Sequence, residues 1–170
     1  IANTLMMVNK TIFLIGMMGS GKSTLGALLA QQFDLPFLDI DAAIEQREGR
    51  SILQLFGEQG EGYFRQLEQE MLDELTDGPQ IVACGGGLPC FEDNLWRMKQ
   101  KGLVVYLEVP PGVLYARIQD ALDRPLLKDW PAFEQLFVAR EACYRGADVI
   151  INANLQPAEI LLEFKQLLML

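Results

Sequence analysis

Apolar residues along this chain gather in short continuous runs, separated by longer stretches in which they recur every three or four positions. The run at residues 11–15 has the length and continuity of a strand buried on both faces of a parallel sheet, and residues 37–39, 81–84, 103–109 and 148–152 read as four further strands. Between the first two in chain order, Leu25, Leu28, Leu29 and Phe33 share one face of a helix over residues 22–33, which Asp34 and Pro36 stop. Helices are predicted likewise over residues 41–48, 91–101, 113–121, 132–145 and 157–170. Ser51 and Gln54 have capping-box spacing, so another helix opens there and runs to about residue 75. Gly57, Gly60 and Gly62 interrupt it, which predicts two helical pieces with a turn between them. Residues 85–87 and 123–131 read as loops. The alternation of strand and helix predicts an α/β fold: a five-stranded parallel sheet flanked by helices on both faces, with right-handed crossovers.

Composition narrows the class. A chain of 170 residues, 50% hydrophobic and 22% charged, suits one globular domain over residues 1–170 whose core needs no disulfide or metal staple. Its apolar runs fall well short of the ~20 residues that cross a bilayer. Residues 1–8 lack a basic n-region and read as a tail outside the fold, not a signal peptide. Three cysteines without metal-ligand spacing suit a reducing cytosol. Cys84 and Cys90 flank the glycine loop with no sequence neighbour that lowers a thiol pKa, and read as structural. With no histidine, proton transfer near pH 7 falls to a carboxylate, a lysine or water. A net charge of −9, from 14 Lys and Arg against 23 Asp and Glu, disfavours nucleic acid and anionic membranes as partners. An anionic ligand must therefore be met by a few placed cations.

The first such cation sits in a phosphate-binding motif. Gly16-Met17-Met18-Gly19-Ser20-Gly21-Lys22-Ser23 matches the P-loop pattern, follows a buried strand and opens a helix. Gly19, Ser20, Gly21, Lys22, Ser23 and Thr24 are therefore candidate ligands of ATP, with Lys22 on the β- and γ-phosphates and Ser23 on Mg²⁺. Asp39 and Asp41 lie at the carboxyl end of the second strand, the edge where open α/β sheets bind ligands. Asp39 suits a magnesium-bound water, and Asp41 a substrate hydroxyl as base or orienting group; either can instead cap the next helix.

The P-loop is followed in order by Asp39-x-Asp41, Gly60-Glu61-x-x-Phe64-Arg65-x-x-Glu68, Gly85-Gly86-Gly87, Arg124-Pro125-Leu126-Leu127 and Arg140-x-x-x-Tyr144. Over about residues 10–150 this series resembles the shikimate kinases. The resemblance implies a P-loop kinase fold with a substrate-binding helical region at about residues 41–75 and a lid loop at about 120–131. It implies ATP-dependent phosphorylation of the 3-hydroxyl of shikimate, giving shikimate 3-phosphate and ADP. Arg65 and Arg140 would then hold the substrate carboxylate, with Glu68 orienting Arg65. Gly85, Gly86 and Gly87 would approach the ring and donate an N–H, and Asp41 would bind the remaining hydroxyls. Arg124 would act over the phosphates as a lid arginine, catalytic together with Lys22 and Asp41, and Arg117 would flank the adenine or phosphates. Ala83-Cys84 stands where a hydroxyl residue is common in the family, and Trp130 falls in the expected lid. A cytoplasmic monomer is expected. Two other readings stand beside this one: a kinase of the same fold for gluconate or a nucleoside monophosphate, and a non-catalytic nucleotide-binding relative acting through a partner. Arg65 with Arg140 and the triple glycine weigh against the first, and the acceptor-site residues as a set against the second.

Overall fold

A computed structural model describes residues 9–119 and 129–169 of the chain. Its strands are β1 (Thr11–Ile15), β2 (Phe37–Asp39), β3 (Gln80–Ala83), β4 (Gly102–Glu108) and β5 (Val149–Asn152), all parallel in the order β2-β3-β1-β4-β5. β1 is central and buried along its whole length, which is why its sequence is a continuous apolar run and not an alternating one. Seven helices cover the sheet among the described residues: α1 (Lys22–Phe33), α2 (Ile40–Glu48), α3 (Ile52–Glu74), α4 (Asn94–Lys101), α5 (Pro111–Gln119), α6 (Trp130–Tyr144) and α7 (Pro157–Met169).

This strand order positions a site. β1 connects leftward past β3 to β2, whereas β3 connects rightward past β1 to β4. With right-handed crossovers, the loops leaving β1 and β3 therefore run to opposite faces, and the crevice between them is the topological switch point. The P-loop and the glycine loop at residues 85–87 border that crevice.

Several elements differ from expectation, each for a local reason. α3 breaks at Gly60 alone, where φ 82° and ψ 172° leave the helical region, so its two pieces meet at one residue with no intervening turn. That conformation is open essentially to glycine only. Gly57 and Gly62 stay helical. The helix expected from residue 91 starts at Asn94; before it, Leu88–Cys90 form a 3₁₀ turn in which Leu88 N–H donates to Gly85 O and Cys90 N–H to Gly87 O. Pro111 opens α5, and Trp130 with Pro131 opens α6 in place of ending a loop. A residue without an N–H suits a first helical turn, where that group has no intrahelical acceptor. Asp129 caps α6, its side chain accepting from Ala132 N–H at 2.9 Å. Trp130 packs edge-on against Tyr115 at 5.3 Å between ring centres, tying the start of α6 to α5. The remainder of the expected lid, with Arg124, lies outside the described residues.

Candidate active site

The chain leaves β1 into the P-loop, where Gly19 and Gly21 take φ of 81° and 89° before α1 begins at Lys22. Left-handed glycines let successive backbone N–H groups turn inward toward one anion. The Lys22 ammonium folds over the loop and donates to the carbonyl oxygens of Gly16 and Met17, each at 2.9 Å, and to the Ser20 hydroxyl at 3.4 Å. Ser23, on the next position of α1, donates its hydroxyl to Asp39 Oδ2 at the end of β2. The other oxygen of Asp39 accepts from Ala42 N–H at 3.1 Å and caps α2. One carboxylate thus serves as cap and as site group together. Thr24 is exposed beside them, and Arg117, in the last turn of α5, donates to Gly19 O at 3.1 Å.

Facing the P-loop is a second group of polar side chains drawn from three helices. Asp41 lies in the first turn of α2, Arg65 and Glu68 on the second piece of α3, and Arg140 on α6. Glu68 is 1% exposed and accepts from Arg65 Nη1 at 2.5 Å, while Glu61 Oε1 accepts from Arg65 Nε and Nη2 at 3.2 and 2.9 Å. The guanidinium is therefore held on two edges by carboxylates, in addition to lying 5.6 Å from the Phe64 ring centre.

Three glycines form the floor on which these groups converge. A Cβ on Gly85 would stand 2.5 Å from Glu68 Oε1 and 2.6 Å from Asp41 Oδ1. On Gly86 it would stand 3.3 Å from Arg140 Nη1, and on Gly87 it would collide with both terminal nitrogens of Arg65. Any side chain in this loop would displace the charged groups, which is the physical requirement for glycine here.

Burial raises the Glu68 carboxyl to about 7, the Arg65 and Arg140 cations pulling it down and the Asp41 charge pushing it up. Burial lowers Arg65, but the Glu68 and Glu61 charges outweigh it and leave the guanidinium raised. Cys84 also faces the cavity, and burial pushes its thiol well above the usual range despite the nearby Lys22. Cys90 does have a neighbour that sequence did not show. It hydrogen-bonds with Cys143 of α6, which raises the Cys90 thiol and lowers that of Cys143.

Both groups of residues open into one cavity of about 880 Å³. Its walls include Asp39, Asp41, Arg65, Gly85, Gly86, Gly87 and Arg140, together with Gly19, Gly21, Lys22, Ser23 and Thr24. Arg117 reaches the P-loop from outside that wall. Sequence reasoning missed the apolar wall formed by Ile52, Leu53, Phe56 and Phe64. Helical spacing marks such residues as packing positions and cannot say that the surface they meet is an open cavity; Leu53 is 48% exposed there.

Comparison with known proteins adds a further line. A family model described as shikimate kinase matches residues 18–169. The shikimate kinase of Aquifex aeolicus is 41% identical over 154 residues, which is 89% of this chain and 92% of that protein. The solved structure of shikimate kinase from Acinetobacter baumannii in complex with shikimate matches with a TM-score of 0.85 at 35% identity, covering 95% of this chain and 93% of that one. A gluconokinase from Sinorhizobium meliloti matches with a TM-score of 0.60 at 19% identity over 92% of this chain and 89% of its own, a likeness of fold alone.

Proposed function

The chain belongs to the shikimate kinase family, and from that premise we propose that it transfers the γ-phosphoryl group of ATP to the 3-hydroxyl of shikimate, giving shikimate 3-phosphate and ADP. The observation that carries this reading is the single cavity with a P-loop at one end and two arginines, an aspartate and a glycine floor at the other. A small carboxylate bearing several hydroxyls needs that second set of groups: cations for the carboxylate and acceptors for the hydroxyls.

Arg65 and Arg140 hold the shikimate carboxylate, and the glycine loop supplies backbone N–H groups to the ring substituents. Asp41 accepts the hydrogen of the reacting hydroxyl and aims its oxygen at the γ-phosphorus. Positioning matters most in this chemistry, because the loose phosphoryl-transfer transition state leaves little covalent work to the protein. Lys22 exchanges the carbonyl oxygens of Gly16 and Met17 for the phosphate oxygens, and Gly19, Gly21 and Thr24 line their path, with Ser20 buried behind them as a partner of Lys22. Arg117 adds positive charge beside Gly19. Arg124, outside the described residues, is assigned to the same task on sequence grounds.

The Ser23 hydroxyl and the Asp39 carboxylate, joined across the cavity wall, fit Mg²⁺, which takes few protein oxygens and completes its shell with phosphate and water. Among the described residues no group of three or more His, Cys, Asp or Glu is built to hold a metal, which suits an ion that arrives with the nucleotide. When held there by Ser23 and Asp39, such an ion would supply positive charge to offset that of the nucleotide phosphates. We place the protein in the cytoplasm as a monomer; its three free thiols suit a reducing compartment. No described helix is long and apolar enough to cross a membrane.

A coupled ADP-release assay with MgATP tests the reading, with shikimate, gluconate, AMP or no acceptor at equal concentration. Release that depends on shikimate alone is expected. Faster release with gluconate or AMP would move the assignment to another kinase of this fold, and nucleotide binding without acceptor-dependent release would mark a non-catalytic relative.

A further inference from the structure

Tyr144 lies one turn beyond Arg140 on α6 and is completely buried, yet its hydroxyl touches three parts of the site. It donates to the Gly86 carbonyl oxygen at 2.6 Å, lies 3.8 Å from the Met17 sulfur in the P-loop, and shares a hydrogen bond with the Arg140 side chain. Its ring stacks on Tyr106 of β4 with 5.2 Å between centres, so the hydroxyl is carried on a rigid base. We propose that Tyr144 is a positioning residue for the acceptor, its hydroxyl fixing the orientation of the Gly86–Gly87 peptide and of the Arg140 guanidinium. This rests on the reading of the pocket as the shikimate-binding half of a kinase.

The need for such a tie follows from the glycines. A peptide between two glycines has no side chain on either flank to resist rotation about its neighbouring bonds. In a planar trans peptide the C=O and the following N–H point opposite ways. While Gly86 O is held at Tyr144, the Gly87 N–H points away from the tyrosine and stays available as a donor. A flip of that peptide would replace the donor with a carbonyl oxygen, which repels the hydroxyl and carboxylate oxygens of the acceptor.

The second contact has a different logic. Arg65 is held by the carboxylates of Glu61 and Glu68, which offset part of its charge. The Tyr144 hydroxyl holds Arg140 through a neutral oxygen, so orientation comes without loss of positive charge. Burial raises the Tyr144 hydroxyl well above its ordinary range, so it remains a neutral donor and acceptor across working pH.

Initial-rate kinetics on the wild type, Tyr144→Phe and Tyr106→Phe, with thermal melts, test the proposal. Tyr144→Phe removes one oxygen and keeps the stacked ring; Tyr106→Phe takes a hydroxyl from the other member of the same pair, away from the tie. The expected result is a KM for shikimate raised about tenfold in Tyr144→Phe, the cost of leaving buried partners unmatched. KM for ATP should stay within about twofold, both variants should melt cooperatively, and Tyr106→Phe should retain a near-wild-type KM for shikimate. An unchanged KM for shikimate in Tyr144→Phe would overturn the proposal. So would equal rises in both KM values, or the same rise in Tyr106→Phe, since either marks a general packing effect. A wild type that shows no shikimate-dependent ADP release removes the function reading itself, and this proposal with it.

Discussion

The P-loop half of the cavity takes most of its polar groups from residues 16–24, many of them backbone amides, whereas the acceptor half collects Asp41, Arg65, Glu68, the glycine loop and Arg140 from segments reaching across most of the fold. The first half needs one strand, one turn and one helix to be in place. The second needs α2, α3, α6 and the loop after β3 to pack in a single arrangement, because each supplies one or two charges and none supplies the pocket alone. The two halves should therefore fail separately: loss of a P-loop charge should spare acceptor binding, and disturbance of the acceptor wall should spare the nucleotide.

The largest effect is expected from Lys22→Ala. Removing the one cation of the P-loop should lower kcat by roughly 10³-fold, in line with single charge-stabilising groups in phosphoryl transfer. Shikimate binding, followed by calorimetry, should change less than about twofold in the same variant. Gly87→Ala attacks the other half without removing a charge. Its Cβ collides with the Arg65 guanidinium, and a misplacement on that scale should lower kcat/KM for shikimate by roughly 100-fold with KM for ATP nearly unchanged. A rise in KM for ATP as large as that for shikimate would show that the halves are mechanically joined.

Most of the sheet and the P-loop half of the site were legible because the residue types carry their own chemistry. TIFLI can hardly be anything but a buried strand, and a lysine after Gly-Ser-Gly at a strand end points to phosphate. Reading Arg65, Gly85, Gly86, Gly87 and Arg140 as one pocket needed the family resemblance, since spacing along the chain does not bring residue 65 near residue 140. The misses share a cause. Pro131 was read as the end of the loop over residues 123–131 because proline suits both a loop end and a first helical turn, and only the following packing decides between them. Asp39 gave two readings, cap or metal-site carboxylate, and the structure uses one oxygen for the cap and points the other at Ser23. Tyr144 stood in the motif without a task, because a tyrosine that tunes a glycine peptide looks like any core aromatic until Gly86 is seen beside its hydroxyl.

Smaller changes sharpen the contrast. Arg117→Ala should raise KM for ATP a few-fold, on the scale of one exposed charged contact, and leave KM for shikimate alone. The smallest effect is in stability. Glu68 faces Arg65 on its own helix, Asp41 from α2, Arg140 from α6 and the Cys84 thiol, and its pKa is raised to about 7. A carboxyl whose pKa is higher folded than unfolded keeps its proton longer in the native state, so its contribution to stability falls as pH climbs from about 4.5 to about 7. Glu68→Gln, which stays neutral, should therefore match the wild type in thermal melts near pH 4.5, gain on it as pH rises to about 7, and hold a constant advantage above that. A difference between the two melts that does not change with pH would show that folding does not raise the Glu68 pKa.

The separation of the two halves is tested most directly by titrating shikimate and a non-hydrolysable ATP analogue, each by calorimetry, into the wild type and Arg65→Ala. Loss of one charge-assisted anchor should weaken shikimate by about 100-fold while the nucleotide binds Arg65→Ala as it binds the wild type. Equal weakening of both ligands, or shikimate binding that survives without Arg65, would contradict the account.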